Sequence, residues 1–176
     1  KLIQQIPQKD STRLDIWKMD QPHSPYLFFI GIGDYAIVKD QFKGKEVSYY
    51  IEKPFEKVAR NIYGKTPQMM AFYEKITGVA YPWVKYSQIS GRDYVSGAME
   101  NTTCTLHSDA VQQDARSLKD GNTWETVIAH ELFHHWFGDL VTAESWSNLT
   151  VNESFADYSE TLWMEHAYGC LLYTSP

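Results

Sequence analysis

The chain has 176 residues, of which 43% are apolar and 22% charged, and its formal net charge is −6. That length and balance give a globular core belonging to one domain or to parts of two, and exclude a disordered chain. The acidic balance argues against a nucleic-acid partner, which a basic surface would mark. The two cysteines, Cys104 and Cys170, make no disulfide framework, and the longest apolar run, Tyr26 to Ile32, is too short for a membrane span.

Residues 1–50 read as β structure. Short β-rich runs around Leu14, Ile16 and Trp17, then Tyr26 to Ile32, Tyr35 to Val38 and Val47 to Ile51, are separated by Pro22, Pro25, Gly31, Gly33 and Lys43-Gly44. The stretch Gly31-Ile32-Gly33-Asp34-Tyr35-Ala36 matches the spacing of a dinucleotide-binding loop. The helix such a loop must open is replaced by β-branched Ile37-Val38, so a bend between strands is the reading adopted.

Near Lys53 the period changes, and residue 50 is taken as a domain boundary. Pro54 suits a first helical position, with Phe55, Val58, Ala59 and Ile62 on one face and Gly64 as the stop. Thr66-Pro67 opens a second helix, with Met70, Tyr73 and Ile76 inward and Gly78 as the stop. Strands are expected at 85–89, 94–99 and 102–106, followed by a polar loop over 108–121. Asn122 and Glu125 have capping-box spacing and launch a helix that Gly138 ends.

That helix carries His130-Glu131-Leu132-Phe133-His134. Residues four apart on a helix share one face, with Cβ atoms roughly 5–6 Å apart. Two imidazoles so placed converge on one metal ion at about 2.0–2.1 Å each. His130 and His134 are therefore candidate zinc ligands. Glu131 points about 100° round the helix, where it can reach a metal-bound water as general base. After eighteen further residues Glu153 stands in the first turn of a second helix, capped by Asn152, running to about Tyr168 and stopped by Gly169. Packed antiparallel, that helix brings Glu153 in as third ligand. Three protein ligands with a fourth position open is the pattern of a catalytic zinc site. Asp157 and Asn152 are read as a solvated and a capping residue, with support of the ligands as the alternative.

Upstream stands Gly97-Ala98-Met99-Glu100-Asn101. Together with the paired histidines and Glu153 it resembles the zinc aminopeptidase family that includes membrane alanyl aminopeptidases and leukotriene hydrolase, whose G-x-M-E-N and H-E-x-x-H-x18-E motifs are both intact here. The resemblance covers roughly residues 50–169. It implies an α+β fold, with 1–50 the end of an N-terminal β domain and 51–169 the first part of a thermolysin-like catalytic domain of mixed sheet and helices. It further implies one zinc ion held by His130, His134 and Glu153, with Glu131 as catalytic base. Gly97, Ala98, Met99, Glu100 and Asn101 become substrate-binding residues, with Glu100 receiving the free α-ammonium of a peptide. Epoxide hydrolysis, as in leukotriene hydrolase, and an inactive zinc- or peptide-binding fragment are the alternatives.

The family's oxyanion-stabilising tyrosine and helical C-terminal domain lie beyond this chain. Residues 170–176 do not continue the pattern and are expected to be a non-native tail. Lys1 is not an initiator methionine, so the chain reads as a fragment whose compartment is open.

Overall fold

The computed structural model describes residues 1–169, so the reading of 170–176 as a non-native tail lies outside the described residues. The chain opens with a two-stranded antiparallel ribbon, β1 (Leu2–Pro7) and β2 (Arg13–Trp17). A five-stranded mixed sheet follows, in the order β3 (Tyr35–Phe42), β4 (Lys45–Glu52), β5 (Lys85–Gly91), β7 (Cys104–Ser108), β6 (Ala98–Met99). Strands β4, β5 and β7 run parallel, and β3 and β6 close the two edges antiparallel. Four helices accompany the sheet: α1 (Ala59–Tyr63), α2 (Thr66–Thr77), α3 (Glu125–Phe133) and α4 (Thr150–Tyr168). The fold is α+β, as expected.

The core forms because β4 alternates and the helices bring their apolar faces to it. Val47, Tyr49 and Ile51 stand two apart on one face of β4 and are fully buried. Ile62 and Tyr63 of α1, Met69, Met70 and Tyr73 of α2, and Ile128, Leu132 and Phe133 of α3 join them in a single cluster. Two polar pairs are buried beside it: the Ser48 and Ser87 hydroxyls at 2.9 Å, and Gln88 donating to Thr66 Oγ1 at 2.8 Å.

The change of period near residue 50 falls at the end of β4, which pairs with β5 from Glu46↔Lys85 to Tyr50↔Ile89. Several other expectations are corrected by tertiary context. The run from Tyr26 to Ile32 forms no strand. Pro25 sets the φ of a 3-10 turn at Pro25–Leu27, and among the described residues no strand pairs with those that follow, leaving Ile32 91% exposed. The strand expected over 94–99 shrinks to Ala98–Met99, because Asp93 turns the chain at φ 56°. Its partner starts at Cys104, two residues late, because Thr103 takes φ 68° in the turn that joins them.

Met69 is buried in α2, while Ile76 is 42% exposed. Gly78 ends α2 at φ 70°, as expected. The capping box of Asn122 and Glu125 does not form. Glu125 instead accepts from Lys65 Nζ at 2.7 Å, Trp163 Nε1 at 2.8 Å and Tyr168 Oη at 2.7 Å. Those last two bonds join the start of α3 to the end of α4, and Phe137 just past α3 stacks on Phe155 near the start of α4. The two helices are therefore antiparallel neighbours.

Trp163, 2% exposed, carries that pairing on both its apolar ring and its N–H. Trp163→Ala should destabilise the fold by about 3–5 kcal/mol, read as a lowered midpoint in chemical denaturation.

Candidate metal centre

Helix α3 is buried nearly all round, so the polar side chains it carries inward need a reason to be there. Opposite His130 and His134, the first turn of α4 supplies Glu153. His130 Nε2 and His134 Nε2 lie 3.0 Å apart, and Glu153 Oε2 is 3.3 Å from the first and 3.6 Å from the second. Glu153 thus lies on the helix expected to carry it, and that helix packs antiparallel to α3 as expected. Asn152 is not its cap, since α4 begins at Thr150.

The hydrogen bonds behind the imidazoles decide their tautomers. His134 Nδ1 donates to the Phe137 carbonyl at 2.9 Å. His130 Nδ1 faces two carboxylates, Glu160 Oε1 at 2.9 Å and Asp157 Oδ1 at 3.2 Å. Each Nδ1 therefore carries its proton, and both Nε2 lone pairs point into the space shared with Glu153. Three acceptors converging within 3.0–3.6 Å of one another require a cation between them. A proton can serve. Burial works to lower the His130 pKa, but Glu153 and Glu160 outweigh it and push the imidazole up to about 10. The hydrogen bonds from His130 and then His134 hold the Glu153 carboxyl well below the usual range. A divalent metal answers the same demand, and two imidazole nitrogens with one carboxylate oxygen are the donor set zinc takes in catalytic sites.

The supports were only partly legible. Asp157, read as solvated, faces His130, while Glu160 went unnoticed. It stands seven residues, two helical turns, after Glu153, and that spacing was the available signal. Gly138 does not end the helix, which stops at Phe133, but it belongs to the site. It sits at φ 137°, and a Cβ there would meet His134 Nδ1 at 3.0 Å.

A second group adjoins the first through His134. Glu100, Glu131 and His134 bring their ligating atoms within 4.8 Å of one another. Both carboxylates are 6% exposed. Burial pushes the Glu131 carboxyl up to about 7, partly offset by His134 and His130, with Glu100 and Glu153 adding to the rise. Glu131 Oε2 has no hydrogen-bond partner among the described residues. A buried, unengaged carboxyl that titrates near neutrality is a proton acceptor in waiting.

Glu100 follows edge strand β6, which pairs Ala98 with His107 and Met99 with Leu106; the Gly97 carbonyl accepts from Ser108 N at 2.8 Å. The outer side of β6 has no strand beside it among the described residues. An extended chain can add there. Asn101 turns elsewhere, its Nδ2 donating to the Leu27 carbonyl at 3.3 Å. His135, to which the sequence assigned no chemistry, is buried and holds the β6–β7 turn: its Nε2 accepts from Thr103 N at 3.1 Å, at the residue with φ 68°. A β-branched residue is costly at positive φ and persists only where surroundings impose it.

Tyr26 and Tyr94 escaped the sequence reading. Burial first, and then Glu100 among the charged neighbours, pushes the Tyr26 phenol up to about 12. Burial, Glu131 and Glu100 likewise raise that of Tyr94. Both phenols thus feel the charge of the site's carboxylates. The site is assembled from segments around Tyr26, Glu100, His130 and Glu153, and no local spacing announces that.

Comparison with known proteins points the same way. Residues 62–175 match the model described as "Peptidase family M1 domain". The chain is 28% identical to glutamyl aminopeptidase of Sus scrofa over 177 residues, covering 95% of this chain and 19% of that one. It is 42% identical to aminopeptidase N of Canis lupus familiaris over 105 residues (58% and 11%). With aminopeptidase N of Lactobacillus delbrueckii subsp. lactis the figure is 41% over 98 residues (54% and 12%). The chain thus spans under a fifth of the length of each of these relatives.

Replacing Glu160 with Gln keeps the shape but weakens the acceptor behind His130. Glu160→Gln should lower zinc affinity about 10–100-fold in a chelator competition while leaving the thermal midpoint of the metal-free protein in place.

Proposed function

The chain belongs to peptidase family M1, and from that membership and the geometry above we propose that the protein is a zinc-dependent aminopeptidase removing the N-terminal residue of peptides. The observation that carries the reading is the sharing of His134 between two groups. On one side His130 and Glu153 complete a three-ligand metal set, and on the other Glu131 and Glu100 stand within 4.8 Å. Zinc fits the donor set, because two Nε2 lone pairs and a carboxylate oxygen converge on one point. When bound, zinc supplies Lewis-acid polarisation of the scissile carbonyl and makes water acidic enough to be used near neutral pH.

The remaining chemistry belongs to side chains. Glu131 takes a proton from the attacking water on Oε2, the oxygen left without a partner, and returns it to the leaving amine. Glu100, which is buried, receives the substrate's α-ammonium in a charge-assisted hydrogen bond. An anchor for the α-ammonium within 4.8 Å of His134 supports cleavage next to the N-terminus, that is, exopeptidase action. Edge strand β6 receives the peptide backbone through its free side.

Two substitutions in the full-length protein separate these roles. Glu131→Gln should retain one zinc per chain and lose on the order of 10²–10⁴ in kcat, measured by metal analysis beside steady-state kinetics. Full turnover would remove Glu131 from the mechanism. Glu100→Ala should raise KM for peptides with a free N-terminus and flatten the preference over N-acetylated peptides. An unchanged preference would move the amine anchor elsewhere.

A further inference from the structure

The two acids on either side of His134 come from elements far apart in the chain, and each has an asparagine beside it in sequence. Asn101 follows Glu100, and Asn152 precedes Glu153. Both asparagines are buried. Both bond to the same three-residue turn, Pro25–Leu27. Asn152 Nδ2 donates to the Tyr26 hydroxyl at 3.2 Å, and Asn101 Nδ2 donates to the Leu27 carbonyl at 3.3 Å.

The turn is held in turn by its surroundings. Pro25 stands at its first position, and the Leu27 side chain is fully buried. The Tyr26 ring packs edge-on against Trp146 with centroids 5.4 Å apart, in the segment that leads into α4. At the other end of its amide, Asn152 Oδ1 accepts from Ala143 N at 3.0 Å, so the orientation of this side chain is set from both sides.

We infer that the Pro25–Leu27 turn is a strap that sets the separation between Glu153 and Glu100, with the Tyr26 hydroxyl as its positioning group. In an exopeptidase that separation decides how a peptide's N-terminal residue is measured between metal and amine anchor. The inference rests on the proposed roles of those two acids. A tyrosine suits the task because its phenol, pushed up to about 12 by burial and the nearby carboxylates, stays neutral at any working pH. It accepts the asparagine N–H without bringing charge to an acidic site.

Tyr26→Phe in the full-length protein removes the oxygen and keeps the ring on Trp146. It should raise the zinc dissociation constant about 10-fold, as loss of a group supporting a ligand does. It should also shift the visible bands of the cobalt-substituted protein and raise KM for aminoacyl substrates by a larger factor than it lowers kcat. The thermal midpoint of the metal-free protein should stay close to that of the wild type. Wild-type zinc affinity and an unshifted cobalt spectrum in this variant, beside an active wild-type enzyme, would overturn the strap. A wild-type protein that holds no zinc or releases no N-terminal residue would instead overturn the functional reading on which it stands. Should Tyr26→Phe not accumulate in folded form, Trp146→Leu frees the same ring from its other side and is judged by the same affinity and the same spectrum.

Discussion

Two imidazole lone pairs and a carboxylate oxygen facing one another across the α3–α4 contact form the constraint on which the rest depends. Three acceptors at 3.0–3.6 Å repel unless a cation lies between them, so everything around them must hold them together. The antiparallel pairing of the helices does this at long range. It is pinned at one end by Glu125 accepting from Trp163 and Tyr168, and at the other by Phe137 on Phe155. At short range the Phe137 carbonyl, Glu160 and Asp157 orient the rings from behind. Gly138 leaves the space that the His134 ring occupies.

The same residues show how a stable core and a reactive site share one helix. Ile128, Ala129 and Leu132 of α3 point into the cluster built on β4, and His130, Glu131 and His134 point away from it toward α4 and β6. Burial sets the chemistry of the second face. It withholds water from Glu131 and pushes its carboxyl up to about 7. Among the described residues, buried polar atoms without hydrogen-bond partners include Glu131 Oε2, Asn101 Oδ1, Thr102 Oγ1 and both carboxylate oxygens of Asp139.

Strand β6 is two residues long and lies at the sheet edge, and the turn that follows it is held at Thr103 by His135, the residue next to His134. The end of α3 and the residues just past it thus present two candidate ligands, His130 and His134, and hold the β6–β7 turn through the neighbouring imidazole. Membership of peptidase family M1 accords with that economy.

Much of this was legible in the chain itself. The i, i+4 spacing of His130 and His134, the helix carrying Glu153 and the stops at Gly78 and Gly169 are local matters of period and backbone freedom, and neighbouring residues decide them. Other features were not local. The apolar run after Tyr26 looked like a strand, yet a strand exists only when another pairs with it, and among the described residues none does. The capping box failed because Glu125 found better partners on α2's approach and α4. Glu160, Leu27 and Tyr26 joined the site only when residues 30, 74 and 126 positions apart in the chain were brought into hydrogen-bonding distance. Sequence by itself determined which residue types could bind a metal and move a proton. Tertiary structure alone decided what stands behind them, because hydrogen bonds across a fold depend on distances that no spacing along the chain encodes.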